Sequence, residues 1–168
     1  MRRGALFALT LLTAVLLQTT VFAKLRILDV SPDLLLVVVI SFALLEGPTI
    51  GSVLGFSGGF MRDLLLDAPT GLTGLSYLLV GYMIGVARPY ISSTTIFVPL
   101  TGIFAGTIVA TGLYELFQAL LGERTPSLSR ALQVVLLTAV YNALLVPFIY
   151  PLLRRIVNFY RAEKVYQW

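Results

Sequence analysis

Apolar residues run along the chain in six blocks separated by short polar breaks, and six segments of about 20 residues, each enough to cross a hydrocarbon core of about 30 Å, nearly exhaust its 168 residues. The first block, residues 4–23, follows Met1-Arg2-Arg3 and ends at Val21-Phe22-Ala23, which resembles a cleavage site. It is longer than the roughly 7–15 residues of a signal core, so it reads as a retained helix. After a loop of mixed charge at 24–32, a second helix is expected at 31–46. Its apolar run, 34–45, spans only about 18 Å between Asp33 and Glu46, so either the helix distorts or its ends lie in polar cavities. The third helix, 49–66, is stopped by Asp67-Ala68-Pro69-Thr70-Gly71, and the fourth, 72–87, by Arg88-Pro89-Tyr90. Ser92-Ser93-Thr94 supplies cap chemistry for a fifth helix at 95–121, whose end, Tyr114-Glu115-Leu116-Phe117-Gln118, mixes aromatic and polar residues as at a membrane interface. A sixth helix follows at 131–153. The tail, 154–168, sets Arg154, Arg155, Arg161 and Lys164 among Phe159, Tyr160, Tyr166 and Trp168, the composition of an interfacial anchor. The expected fold is a single all-α integral membrane domain, 1–168, built as a six-transmembrane-helix bundle.

Composition strengthens this reading. With 58% hydrophobic residues, 12% charged residues and a mean hydropathy of +0.93, the chain has too little polar surface to clothe a water-soluble globule. The absence of cysteine and histidine removes thiol chemistry, disulfides, Cys/His zinc sites and imidazole acid/base catalysis, and no cofactor or metal is expected. The net charge of +4 comes from basic residues at helix ends, not from a basic stripe interleaved with aromatics, so it points to orientation in the membrane and not to nucleic acid. With both termini cytoplasmic, seven basic residues lie inside (Arg2, Arg3, Arg88, Arg154, Arg155, Arg161, Lys164) and five outside (Lys24, Arg26, Arg62, Arg124, Arg130), in the sense of the positive-inside rule.

Three groups of residues are candidates for function. Gly47, Gly51, Gly55 and Gly59 recur every four residues and share one face of the third helix, and Gly81 with Gly85 and Gly102 with Gly106 repeat the spacing on the next two. Such faces admit close helix packing, either within the chain or with a partner. Arg62, Asp63 and Asp67 gather at the outer end of the third helix, where the adjacent Arg62 and Asp63 can neutralise each other; with Tyr77 they form either an outward polar pocket or a snorkelling interfacial cluster. Gln18 and Asn142 lie within apolar helices and need interhelical hydrogen bonds. Glu46, at the opposite end beside Gly47-Pro48, reads as solvated, and Pro147 and Pro151 are expected to bend the sixth helix. No catalytic residues emerge. Asp63 and Asp67 follow each other on one helix and cannot face one another as a proton-sharing pair, and no phosphate-binding glycine loop with its lysine is present.

Leu17-Gln18-Thr19-Thr20, Pro32-Asp33-Leu34-Leu35-Leu36 and the succession Gly55-Phe56, Gly59-Phe60, Asp63-Leu64, Gly71-Leu72, Tyr77 and Gly81-Tyr82 resemble the MreD family of bacterial rod shape-determining proteins over nearly the whole chain. The resemblance implies a non-enzymatic, multi-pass subunit of the bacterial inner membrane. It also implies association with MreC and, through it, with RodA, a class B penicillin-binding protein and the MreB filament of the cell-wall elongation machinery. The family is similar in fold to the substrate-binding S components of energy-coupling-factor vitamin transporters, which leaves a working S component as the second expectation. The Ala-xxx-Ala docking motif of such proteins is only approximated by Gly4-xxx-Ala8, which argues against transport. The accompanying expectation is that a segment of MreC lies on an exposed small-residue surface of helices three to five.

Overall fold

The computed structural model describes residues 2–22, 30–66, 71–90, 97–122 and 127–165. Among them are six α-helices: α1 (Arg2–Leu17), α2 (Leu34–Glu46), α3 (Pro48–Leu65), α4 (Leu72–Ala87), α5 (Phe97–Leu120) and α6 (Leu128–Val165). A π turn, Gln18–Phe22, continues α1, and a 3₁₀ turn, Arg88–Tyr90, closes α4.

α2 occupies the centre. Every residue from Leu34 to Leu44 is buried, and each of the other five helices packs against it. A helix that is apolar all round has no face to give to solvent, so it belongs in the middle of a bundle. Its 13 residues span about 20 Å. The helix does not distort to reach further. Its N-terminal end stops inside the bundle among polar side chains. The turn into α3 is made by Gly47 alone, at φ +99, a conformation that a side chain would strain, with Pro48 opening the next helix.

Between helices in lipid, burial of apolar surface supplies little drive, and close van der Waals packing must supply the affinity. α3 and α4 show how. They run antiparallel with the backbone of Gly51 against Gly81, Gly55 against Tyr77, Gly59 against Gly74, and Pro48 against Gly85. A methyl group on Gly59 would stand 2.6 Å from the Gly74 backbone, inside any real contact. On α5, Gly106 makes room for the tip of Ile40 of α2, while Gly102 meets Leu44 only at ordinary contact distance.

Large apolar side chains cover the outside: Leu9 and Leu16 on α1, Val53 and Phe56 on α3, Met83 on α4, Phe104 on α5, and Leu144 and Phe148 on α6. Among the described residues three helices are long and apolar enough to cross a membrane, over Gly4–Val21, Phe97–Leu120 and Leu128–Phe159. That is fewer than the six spans expected from the apolar blocks. α2 and α4 are short, at 13 and 16 residues, and the glycines and charges of α3 lower its hydropathy. The second departure is α6. It continues through Pro147 and Pro151 as one helix of 38 residues, twelve residues past the expected end at 153. The residues assigned to an interfacial tail up to Val165 are its last turns; those beyond lie outside the described residues. At about 57 Å, α6 is longer than the hydrocarbon core by nearly half its length.

Candidate functional site

The buried N-terminus of α2 sets the problem that the site solves, because the first turn of a helix has backbone N–H groups with no intrahelical acceptor. Asp33, the N-cap, accepts the Leu36 N–H through Oδ1 at 3.0 Å. Gln18 reaches across from the π turn, where its Oε1 accepts the Leu34 N–H at 2.8 Å while its Nε2 donates to the Pro32 carbonyl at 2.9 Å. From α6, Asn142 Oδ1 accepts the Asp33 N–H at 2.7 Å, and its Nδ2 donates to Thr107 Oγ1 of α5 at 3.0 Å. Three side chains, the cap Asp33 itself, Gln18 from the π turn and Asn142 from α6, thus satisfy one helix end.

Replacing Asn142 by leucine leaves the Asp33 N–H without an acceptor. We expect a loss of about 1–3 kcal/mol, read as a lower melting temperature of the detergent-solubilised chain. A melting temperature equal to wild type would show that this hydrogen bond carries no weight.

The remaining oxygen of Asp33, Oδ2, accepts Nη1 of Arg62 at 2.5 Å and the hydroxyl of Tyr77. Arg62 Nη1 also lies 2.5 Å from the Tyr77 hydroxyl, so α2, α3 and α4 are tied by one triad. Asp63 does something different. Successive residues on a helix point about 100° apart, and Asp63 turns toward α4, where Oδ2 accepts the N–H groups of Gly71 at 2.9 Å and Thr73 at 3.0 Å. Gly71 has no side chain to cap α4 and Asp63 supplies the missing acceptor. The neutralisation of Arg62 by its neighbour is therefore corrected: its partner is Asp33, 29 residues away, and Asp63 is a helix cap.

Arg62, Asp63 and Tyr77 line one cavity of about 260 Å³ together with Asp33, Thr73, Ala110, Thr111, Tyr114, Glu115 and Thr138. Asp67 lies outside the described residues. Asp33 was absent from the pocket expected from sequence, although the shortness of the second apolar run pointed to polar surroundings at its end. Glu115, at the end of α5 expected to lie at the interface, lines this cavity.

The small-residue face is not open. Gly51, Gly55 and Gly59 are covered by α4, Gly81 and Gly85 by α3 and the turn before it, and Gly102 and Gly106 by α2, while Gly47 makes the turn. A segment of a partner cannot lie there as the expected groove requires.

Comparison with curated proteins and with solved structures gives no match. A family model described as rod shape-determining protein MreD matches residues 2–156 of the 168. Because that span takes in five complete helices, most of the sixth and every residue of the polar site, the chain belongs to the MreD family of rod shape-determining proteins.

Proposed function

We propose that this chain is a non-enzymatic, multi-pass subunit of the bacterial inner membrane that binds MreC and so helps to organise peptidoglycan synthesis in rod-shaped cells. RodA, the class B penicillin-binding protein and MreB are reached through that complex. The family match over residues 2–156 carries the reading. The disposition of the carboxylates supports it: Asp33 is neutralised by Arg62 and Asp63 caps α4, so both serve structure. The distribution of basic residues supports cytoplasmic termini. In that orientation the cavity, at the end of the bundle opposite Gly47, opens outward. With the glycine faces occupied inside the bundle, MreC meets an outer, lipid-facing surface.

Two measurements test this together. Depletion of the protein is expected to turn rods into spheres, and affinity purification from native membranes is expected to recover MreC. Rod shape maintained on depletion, with no MreC recovered, overturns the proposal.

The cavity keeps a second reading in view, a vitamin-binding S component with the corresponding fold. At about 260 Å³ it is smaller than the roughly 300–1,000 Å³ of sites that enclose whole drug-sized molecules. Copurification of a stoichiometric vitamin and an ATPase module would favour that reading over the scaffold.

A further inference from the structure

The cavity at the α2 N-terminus contains two polar atoms that the bundle leaves unsatisfied. Asp63 is 1% exposed, and its Oδ1 has no hydrogen-bond partner among the described residues; Glu115 Oε2, from α5, is buried and equally unpartnered. Both residues line the same cavity. Buried carboxylate oxygens are nearly always hydrogen-bonded, so two orphans lining one cavity call for a donor from within it. The charge balance points the same way. The described lining carries three acidic residues (Asp33, Asp63, Glu115) and one basic (Arg62), a surplus of two formal negative charges, and the one cation is already paired with Asp33.

We infer that this cavity binds a compact primary ammonium group, held between Asp63 Oδ1 and Glu115 Oε2. An anion finds no unengaged cation in the described lining. A quaternary ammonium has no N–H to donate and is recognised by an aromatic box, which two tyrosines do not make. A guanidinium is matched by both oxygens of one carboxylate, a fork that Asp63 cannot offer while its Oδ2 caps α4, so a guanidinium would sit on Glu115 alone and leave Asp63 Oδ1 unsatisfied. A primary ammonium is a point-like charge with three rotatable donors, suited to single oxygens on two different helices. Calcium takes about six to eight oxygen ligands, more than this pair provides, and magnesium, which keeps most of its water, is separated from the amine by the competition in the test below. Val30, Leu66, Ala110 and Val134 supply apolar wall for a short alkyl stem, and the volume admits an aminoalkyl end, not a large molecule. The ammonium can belong to a soluble alkylamine or to the ethanolamine headgroup of a lipid.

The inference rests on the cavity alone and holds or fails independently of the scaffold reading. The test uses the full chain in detergent micelles, with cadaverine followed by calorimetry and phosphatidylethanolamine followed by native mass spectrometry against phosphatidylcholine of the same acyl chains. Saturable cadaverine binding in lipid-free micelles assigns a soluble source. Retention of phosphatidylethanolamine over phosphatidylcholine without cadaverine binding assigns the lipid. Asp63→Asn disturbs the α4 cap, so Glu115→Gln is the deciding variant, expected to weaken whichever amine binds at least tenfold while the chain still elutes as a folded species. The proposal is overturned if neither amine binds, if phosphatidylcholine is retained equally with no cadaverine binding, if magnesium chloride displaces the amine at equimolar concentration, or if Glu115→Gln binds as wild type does.

Discussion

Gly59→Ala is expected to stop the folded chain from accumulating in membranes. The sign is not obvious, because alanine in a helix interior is intrinsically better than glycine by about 1 kcal/mol. Overpacking normally costs about 1–3 kcal/mol and sometimes more. Here the added methyl meets the Gly74 and Thr73 backbone at 2.6–2.7 Å, and backbone has no flexible tip that can swing aside. Two helices must separate along their whole contact, so the steric cost outweighs the propensity gain. Gly112→Ala is the control, since a methyl there meets nothing within 4 Å. The measurement is the yield of monodisperse protein by size-exclusion chromatography after solubilisation. If the two variants behave alike, α3 and α4 are not as close as described.

The second large effect concerns charge. Asp33→Asn retains the size of the side chain and an oxygen for the Leu36 N–H, yet strands the guanidinium of Arg62. An exposed ion pair is worth about 0–1 kcal/mol, but these side chains are only 25% and 11% exposed and sit within a helix bundle in lipid. Removing one partner of a buried pair leaves an uncompensated charge and costs about 3–5 kcal/mol. Arg62→Met should cost about as much for the mirror-image reason. The double variant Asp33→Asn/Arg62→Met should then be markedly more stable than the sum of the single losses allows, because no charge is stranded. Denaturant unfolding of the four proteins gives the coupling directly. Additive losses would mean that Asp33 and Arg62 are not partners.

How far the chain could be read in advance depends on the range of each interaction. Six apolar blocks marked six helices because lipid imposes its demand locally, on each segment separately. Gly51, Gly55 and Gly59 announced a close approach, but their spacing says nothing about what approaches; that it is α4 follows from a turn of a few residues. Gln18 and Asn142 were legible as polar residues needing interhelical partners, whereas their shared target, the N-terminus of α2, was not. Arg62 and Asp63 misled most. Adjacency in sequence suggested a pair, while helical geometry sends the two side chains in different directions and tertiary structure finds each a distant partner. The far end of α6 was misjudged because the basic and aromatic residues from Arg154 onward were read as an interfacial tail, though the helix continues through them to Val165.

The central position of α2 bears on how the molecule is made. A translocation channel releases segments sideways into lipid one or a few at a time, and each must be content there on arrival. Thirteen residues with an aspartate at one end and a glutamate at the other do not reach across the bilayer unaided. α1 precedes α2 and can carry Gln18 to its leading end, but Arg62, Tyr77 and Asn142 emerge from the ribosome later. Until Arg62 arrives with α3, Asp33 has no counter-charge, and until Asn142 arrives with α6 its N–H has no acceptor, so this segment settles into its final depth only after the last helix has been synthesised.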